Sequence, residues 1–310
     1  MNNTIDRSKA KQLLEATIVR IDGAYAASTI RAYRSNFTKF IDYCELVGAK
    51  ALPTLPETIA VFVEKLTEDR YHSSTIRQVV ASIASIHTLN NYVNPTTHSE
   101  VRIAVKRMHR KIGRFCQQAY GITKDLLDEM LEVTDDSLRG LRDRALLRVA
   151  YDTMCRRSEL VRLMVDDVDV QVVDRRNKIE STVIFIEQSK TDQEANGRWL
   201  RISKETSIAL KDWIRHSGIR DGQLFRGVDR GNTITADLTS GQICKIYKRL
   251  ARKAEFGEDF VKHVSGHSMR VGAAQDLLLS GATLPMMMAK GRWSKPDTVM
   301  RYVEKIGGAL

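Results

Sequence analysis

Apolar residues recur at helical spacing through the first hundred or so positions of the chain. In one segment they fall every three or four residues, at Ile30, Tyr33, Phe37, Phe40 and Ile41. This spacing places them on one face of a helix, which we expect to begin near Ser28 and to end at Gly48.

Further helices are predicted by the same reasoning. One is expected from about Glu57, the next over "TIRQVVASIASIHTLNNY" with Ser73 or Ser74 as its N-cap, and another from about Ser99. The polar start of the chain also runs into an amphipathic helix. We therefore predict an all-helical N-terminal domain, residues 1–116.

A mixed pattern begins after the breaks at Gly113 and Gly121. Strands are expected at "STVIFIEQ" and "RWLRIS", joined by the polar turn "SKTDQEANG". The predicted fold class is mainly α with a small antiparallel β-sheet in the C-terminal domain, residues 117–310. The helices predicted there cover residues 137–154, 156–164, 204–218, 240–256, 267–281 and 296–306.

Composition points to a polyanionic partner. The formal net charge is +11 and the pI is about 9.5. No apolar run reaches the roughly 18 residues of a transmembrane helix, and the N-terminus lacks the apolar stretch of a signal peptide. Cysteines at positions 44, 116, 155 and 244 form no C-x-x-C pair, so we interpret them as reduced structural residues of a cytoplasmic protein.

Basic residues concentrate in the segment "VRIAVKRMHRKIGR", residues 101–114, which contains no acidic residue. On a helix these cations would form two adjacent rows, so that one face packs on protein and the other meets phosphates. An ordinary solvated face is the alternative. The candidate DNA-binding residues are Arg102, Lys106, Arg107, Arg110, Lys111 and Arg114.

A candidate catalytic set lies in the second half of the chain. A guanidinium binds phosphate through two parallel hydrogen bonds and stays charged at any working pH, which suits Arg156 and Arg270. His267 lies three residues before Arg270 at the start of a predicted helix, where free N–H groups attract anions and both side chains would share a face. Taken alone, each pair also fits a surface role, with Glu159 as an ordinary ion-pair partner of Arg156.

Three more residues complete the set. Lys190, at the tip of the predicted hairpin, is either an exposed turn residue or a mobile general acid. The indole N–H of Trp293 is a donor that suits a phosphate oxygen, although a core position is the simpler reading. Tyr302 lies on the last predicted helix, which Ser294 could cap, and it either packs or acts as a nucleophile.

The order R-x-x-E, K, H-x-x-R, W and Y resembles that of the tyrosine recombinases, and within them the Cre-like phage recombinases. The likeness is strongest in "SGHSMRVGAAQDLLLSGATLPMMMAKGRWSKPDTVMRYVEK", which has a tryptophan where most relatives have a histidine. It is weak in the helical N-terminal half. Only "VEKIGGAL" follows Tyr302, whereas Cre-like proteins have a longer helix that docks into the neighbouring subunit; we expect a shorter exchange segment or different subunit contacts.

The resemblance implies a two-domain DNA clamp, with a SAM-like core-binding domain and a catalytic domain. It implies cleavage through a 3′-phosphotyrosyl intermediate without metal, ATP or another cofactor. The implied roles are phosphate binding for Arg156, His267, Arg270 and Trp293, support by Glu159, proton donation by Lys190 and nucleophilic attack by Tyr302.

The expected partner is double-stranded DNA carrying an inverted-repeat target site. The resemblance implies a homodimer on one site and a homotetramer in the synapse. No membrane partner is expected, and no accessory protein should be required. Base recognition depends on which helices enter the major groove, and Arg77 and Gln78 are candidates for it.

Other functions are not excluded. Xer-like dimer resolution or integration is the alternative role within the family. A type IB topoisomerase shares the tyrosine and the cations but exchanges no strands, and a non-catalytic DNA-binding protein would be expected to have lost some of the seven residues. A metal-dependent nuclease fits worst, because no Asp/Glu/His cluster stands out.

Overall fold

The structure, a computed structural model, describes residues 2–114, 118–174, 179–187 and 197–307. The chain divides into two compact units, Met1–Gln117 and Gln118–Leu310. No helix within these described ranges combines the length and the apolar character needed to cross a membrane.

The described part of the first unit is helical. Its core consists of aromatic and branched side chains with almost no exposure, among them Phe37, Phe40, Ile59, Ile76 and Ile83. The helices are α1 (Asn2–Arg20), α2 (Ala27–Val47), α3 (Pro56–Glu68), α4 (Ser73–Leu89) and α5 (Ser99–Ile112), with a 3-10 turn at Pro95–Thr97.

The helix boundaries of this unit lie within a few residues of those predicted. Gly48 ends α2 with a left-handed φ of 68°, a conformation that glycine adopts without steric cost. Helix α2 begins close to the predicted Ser28, whereas the serine cap predicted for α4 was wrong, because that helix begins at Ser73 after His72. A serine cap stabilises a helix by only about 1 kcal/mol, less than the burial of one core side chain such as Ile76.

The second unit is mixed. Its helices are α6 (Lys124–Glu132), α7 (Leu138–Thr153), α8 (Arg157–Leu160), α9 (Lys204–Ser217), α10 (Ser240–Lys253), α11 (Glu258–His263), α12 (Ser268–Leu279), α13 (Leu284–Gly291) and α14 (Pro296–Gly307). Its strands are β1 (Val168–Asp174), β2 (Ile179–Ile186), β3 (Arg198–Arg201), β4 (Arg226–Val228) and β5 (Ile234–Asp237).

The strands form two antiparallel sheets rather than the single sheet expected. The larger has the order β1-β2-β3, with Val168 opposite Ile184 and Ile184 opposite Leu200. The smaller is the β4–β5 hairpin. The two predicted strands correspond to β2 and β3. Strand β1 was missed, although "VDVQVVD" begins with the alternation of apolar and polar residues that is typical of a strand.

The helix predicted over residues 156–164 lasts one turn, Arg157–Leu160. The chain then leaves the helical path, because Met164 forms an isolated β-bridge with Gln223 and a 3-10 turn leads into β1. Arg156 is consequently the N-cap residue of α8.

Close packing brings α12 against the start of the second unit. A Cβ built at Gly272 would lie 1.8 Å from the backbone oxygen of Ile122, so only glycine allows this approach. The Ile122 N–H donates to the carbonyl oxygen of Ser268 over 2.9 Å. A small apolar cluster then joins α12, α13 and α14 to the end of α7; its buried members are Met154, Ala273, Ala274, Met287, Trp293 and Val299.

Candidate active site

Arg270, on α12, is a buried cation that is 1% exposed. Its Nη1 donates to the carbonyl oxygen of Met154 over 2.6 Å, and its Nη2 donates to the carbonyl oxygen of Gly291. Its guanidinium carbon lies 4.7 Å from the centre of the Trp293 ring, within the range of a cation–π interaction. Arg270 therefore connects α12 to the end of α7 and to the end of α13.

Three buried donors in this region, Arg270 Nε, Trp293 Nε1 and Arg292 Nε, have no acceptor among the described residues. All three atoms are inaccessible to solvent. An unsatisfied buried polar group costs about 1–3 kcal/mol. Gly291 leaves room for the indole, since a Cβ there would lie 2.2 Å from the Trp293 ring.

Tyr302, on α14, packs on Trp293. The two ring centroids are 5.4 Å apart and the rings are inclined by 31°. Tyr302 is half-buried. The helix begins at Pro296, so Ser294 is not its cap as predicted. The tyrosine, the indole and Arg270 thus form one contiguous stack.

Glu159 is a buried carboxylate shared by two arginines, with a side chain that is 2% exposed. Its Oε1 accepts from Arg156 Nη1 over 2.7 Å, and its Oε2 accepts from Arg292 Nη2 over 2.7 Å. Oε2 also accepts from the backbone N–H of Arg156 over 3.0 Å. Burial alone would raise the pKa of Glu159, but the charge of Arg292 and the hydrogen bonds from Arg156 hold that pKa below its ordinary value.

Burial and the neighbouring charges together change the pKa of Arg270. Burial is the largest cause and the positive charge of Arg156 is the second; together they lower the pKa of Arg270 to about 10. Tyr302 and Glu159 act in the opposite direction. Arg270 therefore remains protonated at neutral pH.

His267 is the N-cap residue of α12, rather than a residue of its first turn as expected. Part of the His267 side chain is exposed. Burial of the rest lowers the pKa of His267, and the positive charges of Arg157, Arg270 and Arg156 lower that pKa further. The ring is therefore neutral at pH 7, a state that can accept a proton.

Sequence reasoning missed Arg292 and Arg157. Arg292 lies between Glu159 and Trp293, and the only signal for it was its position in "KGRWS". Arg157 packs against Gly266, where a Cβ would lie 2.6 Å from Arg157 Cδ. Lys190 and Cys116 lie outside the described residues.

A basic groove, defined by Arg77, Arg102 and Lys106, lies in the first unit. It has a volume of about 450 Å³, and its remaining walls include Val80, Ala81 and Val105. Arg77 on α4 thus joins the cations of α5, and Gln78 beside it is also exposed.

The cations predicted in two rows are all exposed, but Arg114 lies beyond the C-terminal end of α5, so it does not continue the predicted helical row. Arg107 pairs with Glu64 over 3.4 Å. The pKa of His109 is lowered by burial and then by the charges of Arg114 and Arg77. The field on this face is therefore positive, as a polyanion-binding surface requires.

Comparison with known proteins assigns the chain. The model of the phage integrase family matches residues 121–306, more than half of the sequence. The chain belongs to the phage integrase family. It is a tyrosine recombinase, a DNA strand-transferring enzyme, as the resemblance implied.

Two relatives match the recombinase over most of its length. It is 27% identical over 297 residues to an integrase/recombinase XerD homolog of Selenomonas ruminantium, covering 92% of this chain and 84% of the relative. It is 24% identical over 300 residues to recombinase Cre of Escherichia phage P1, covering 91% and 85%.

Solved structures share the fold. The Tn1549 transposon integrase, in complex with transposon right end DNA, superimposes with a TM-score of 0.65 at 14% identity, covering 94% of each chain. A lambda integrase dimer bound to a COC′ core site gives a TM-score of 0.62 at 13% identity, covering 94% of this chain and 76% of that chain. These likenesses confirm the predicted fold class.

The shared carboxylate predicts how stability depends on pH. Because the folded-state pKa of Glu159 is below its ordinary value of 4.5, its contribution is present above about pH 4.5 and is lost as pH falls through the folded-state pKa. Glu159→Gln should lower the free energy of unfolding by about 3 kcal/mol or more at pH 7, because buried guanidinium groups lose their counter-charge.

Urea unfolding of both proteins between pH 7 and pH 4 measures this difference. The difference in free energy of unfolding between wild type and Glu159→Gln should become smaller below about pH 4.5. A difference in free energy of unfolding that stays constant from pH 7 to pH 4 would show that Glu159 is not held ionised by its arginines.

Proposed function

We propose that this recombinase cuts DNA with Tyr302 as the nucleophile and a phosphodiester bound beside Trp293. The observation that carries the proposal is that two of the buried donors without acceptors among the described residues, Arg270 Nε and Trp293 Nε1, belong to the stack that contains this tyrosine. A non-bridging phosphate oxygen is an acceptor that would satisfy such donors.

The charge of the site suits one phosphodiester. Arg156, Arg270 and Arg292 are opposed by the single carboxylate of Glu159, so these described groups carry an excess of positive charge. Negative charge increases on the phosphate oxygens in the five-coordinate transition state. Fixed cations and donors stabilise that state without reorganising during the reaction, which is usually the largest catalytic contribution.

The proposed step is balanced without metal or ATP. The Tyr302 oxygen bonds to phosphorus, the bond from phosphorus to the 5′ oxygen breaks, and the chain becomes linked to a 3′ phosphate. A phosphate oxygen or His267, which its lowered pKa keeps neutral at pH 7, is the proposed acceptor of the tyrosine proton. Lys190 is the proposed donor to the leaving 5′ oxygen, a role that rests on the resemblance. The free 5′ hydroxyl can then attack a partner strand and reverse the chemistry.

The proposed substrate is double-stranded DNA with an inverted-repeat site. Support comes from the basic groove and from relatives of the same fold, one bound to transposon end DNA and one a dimer on a core site. We propose a core-binding role for residues 1–116, a catalytic role for residues 117–310, a homodimer on each site and a homotetramer in the synapse. No accessory protein is included in this scheme.

The biological role within the family has two candidates. Trp293 in the position where most relatives have a histidine favours a Cre-like recombination of phage, plasmid or mobile-element DNA. The XerD homolog, at 27% identity, favours an Xer-like dimer resolution as the alternative. Products from directly repeated sites on one plasmid and from sites on separate plasmids distinguish excision from integration.

The nucleophile is tested by covalent capture in EDTA. Wild-type protein should form a denaturation-resistant adduct with a pool of nicked, randomised duplexes, and Tyr302→Phe should form none while still binding DNA, because only the phenolic oxygen is lost. Tyr25→Phe is the matched control, since Tyr25 is exposed in the first unit. An adduct of wild-type yield in Tyr302→Phe would rule out this nucleophile.

The basic groove is tested by the salt dependence of DNA affinity. Replacing Arg77, Arg102 and Lys106 by glutamine should reduce the slope of log K against log salt by about 3, because each phosphate contact releases about one counterion. Filter binding or fluorescence anisotropy between low and moderate salt measures the slope.

The control for this experiment removes the same net charge elsewhere in the first unit. Lys9, Lys50 and Lys65 are exposed and lie outside the groove, so their triple glutamine variant should retain nearly the wild-type slope. Equal slopes for the two triple variants would show that the groove does not hold phosphates.

A further inference from the structure

We infer that Arg292 is a positioning residue, which holds the Glu159 carboxylate and thereby leaves Arg156 available to the scissile phosphate. The inference rests on the proposed function and extends it to a residue outside the seven-residue set. Arg292 precedes Trp293 and follows α13, so it belongs to the part of the chain that carries Tyr302.

The two terminal nitrogens of Arg292 are occupied by protein acceptors. Its Nη1 donates to the carbonyl oxygen of Thr153 over 2.9 Å, and its Nη2 donates to Glu159 Oε2 over 2.7 Å. Its Nη2 also lies 3.7 Å from Cys155 Sγ. The buried Nε of Arg292 has no acceptor among the described residues, but both terminal nitrogens are engaged and the side chain is 7% exposed, against 16% for Arg156. Arg156 is therefore better placed than Arg292 to bind a phosphate.

The backbone of Arg292 supports a specific role for the side chain. Its φ is 54°, in the left-handed region where glycine is favoured and a side chain is disfavoured. An arginine held there is compensated by the contacts of its guanidinium. Glu159 is the one anionic partner of Arg292 among the described residues, so we assign this compensation mainly to the ion pair with Glu159.

Charge balance explains how Arg292 acts through Glu159. The two oxygens of this carboxylate are divided, one to Arg156 and one to Arg292. Without Arg292, the full negative charge of a buried carboxylate would be compensated by Arg156 alone, and the excess positive charge facing the phosphate would fall by one. Arg292 and Arg270 also bind the adjacent carbonyls of Thr153 and Met154, which fixes the Arg156 loop to the Trp293 segment.

A charge-rescue experiment tests this inference. The target duplex recovered by covalent capture is cut under single-turnover conditions at saturating protein, and DNA affinity is measured separately. Arg292→Met should slow adduct formation on the order of tenfold or more with little change in DNA affinity. Arg292→Lys, which keeps the positive charge, should slow adduct formation less than Arg292→Met does. The double variant Arg292→Met with Glu159→Gln should react faster than Arg292→Met alone, because the uncompensated carboxylate is gone.

Arg215→Met is the matched control. Arg215 pairs with Asp212 on an exposed face of α9, so its loss removes an arginine–carboxylate pair far less buried than that of Arg292. Its adduct rate should equal that of wild type. Thermal unfolding of each variant, run in parallel, identifies any loss of rate that follows from a loss of fold.

The outcomes separate the inference from the proposed function. A Tyr302-dependent wild-type adduct with a slow Arg292→Met variant and a faster double variant supports positioning through Glu159. The same wild-type adduct with a double variant no faster than Arg292→Met overturns the inference alone, since a purely structural arginine would not be rescued. A wild-type chain that forms no adduct refutes the proposed function, and the inference falls with it.

Discussion

The burial of the Arg270 guanidinium is the constraint on which the rest of the site depends. A charge that is 1% exposed must be compensated by fixed dipoles, and here two backbone carbonyls from different segments and the face of Trp293 supply them. Satisfying this one group therefore requires the end of α7, the start of α12 and the end of α13 to meet. The small residues Gly272 and Gly291 make those approaches sterically possible.

The remaining groups follow from this arrangement. Once the segment after α13 lies beside the end of α7, Arg292 reaches Glu159, and Glu159 in turn orients Arg156. Burial, and after it the neighbouring positive charges, lower the pKa of both His267 and Arg270, so that a neutral imidazole and a charged guanidinium coexist at pH 7. The site thus combines a neutral imidazole with fixed cations, and in the proposed reaction the cations would stabilise the phosphate while the imidazole could accept a proton.

Long amphipathic helices could be predicted from sequence, because periodicity is a local property, and the spacing of the motif could nominate candidate site residues without showing their contacts. The missed features depend on distant partners. The helix after Arg156 stops after one turn because Met164 bridges to Gln223, and the Arg292–Glu159 pair joins residues 133 positions apart. The spacing of the motif also could not show that His267 stays at the surface while Arg270 is buried, since that depends on how α12 packs.

The direct test of the central claim is the indole N–H resonance of Trp293, recorded by ¹⁵N–¹H correlation and assigned with Trp293→Phe. If Trp293 Nε1 donates to the bound phosphate, target DNA should shift this resonance downfield and slow its exchange with solvent. Trp213 is an internal reference, because its Nε1 already donates to the carbonyl oxygen of Leu224 over 2.7 Å. A Trp293 resonance that stays as unchanged as that of Trp213 on saturation with target DNA would contradict the account.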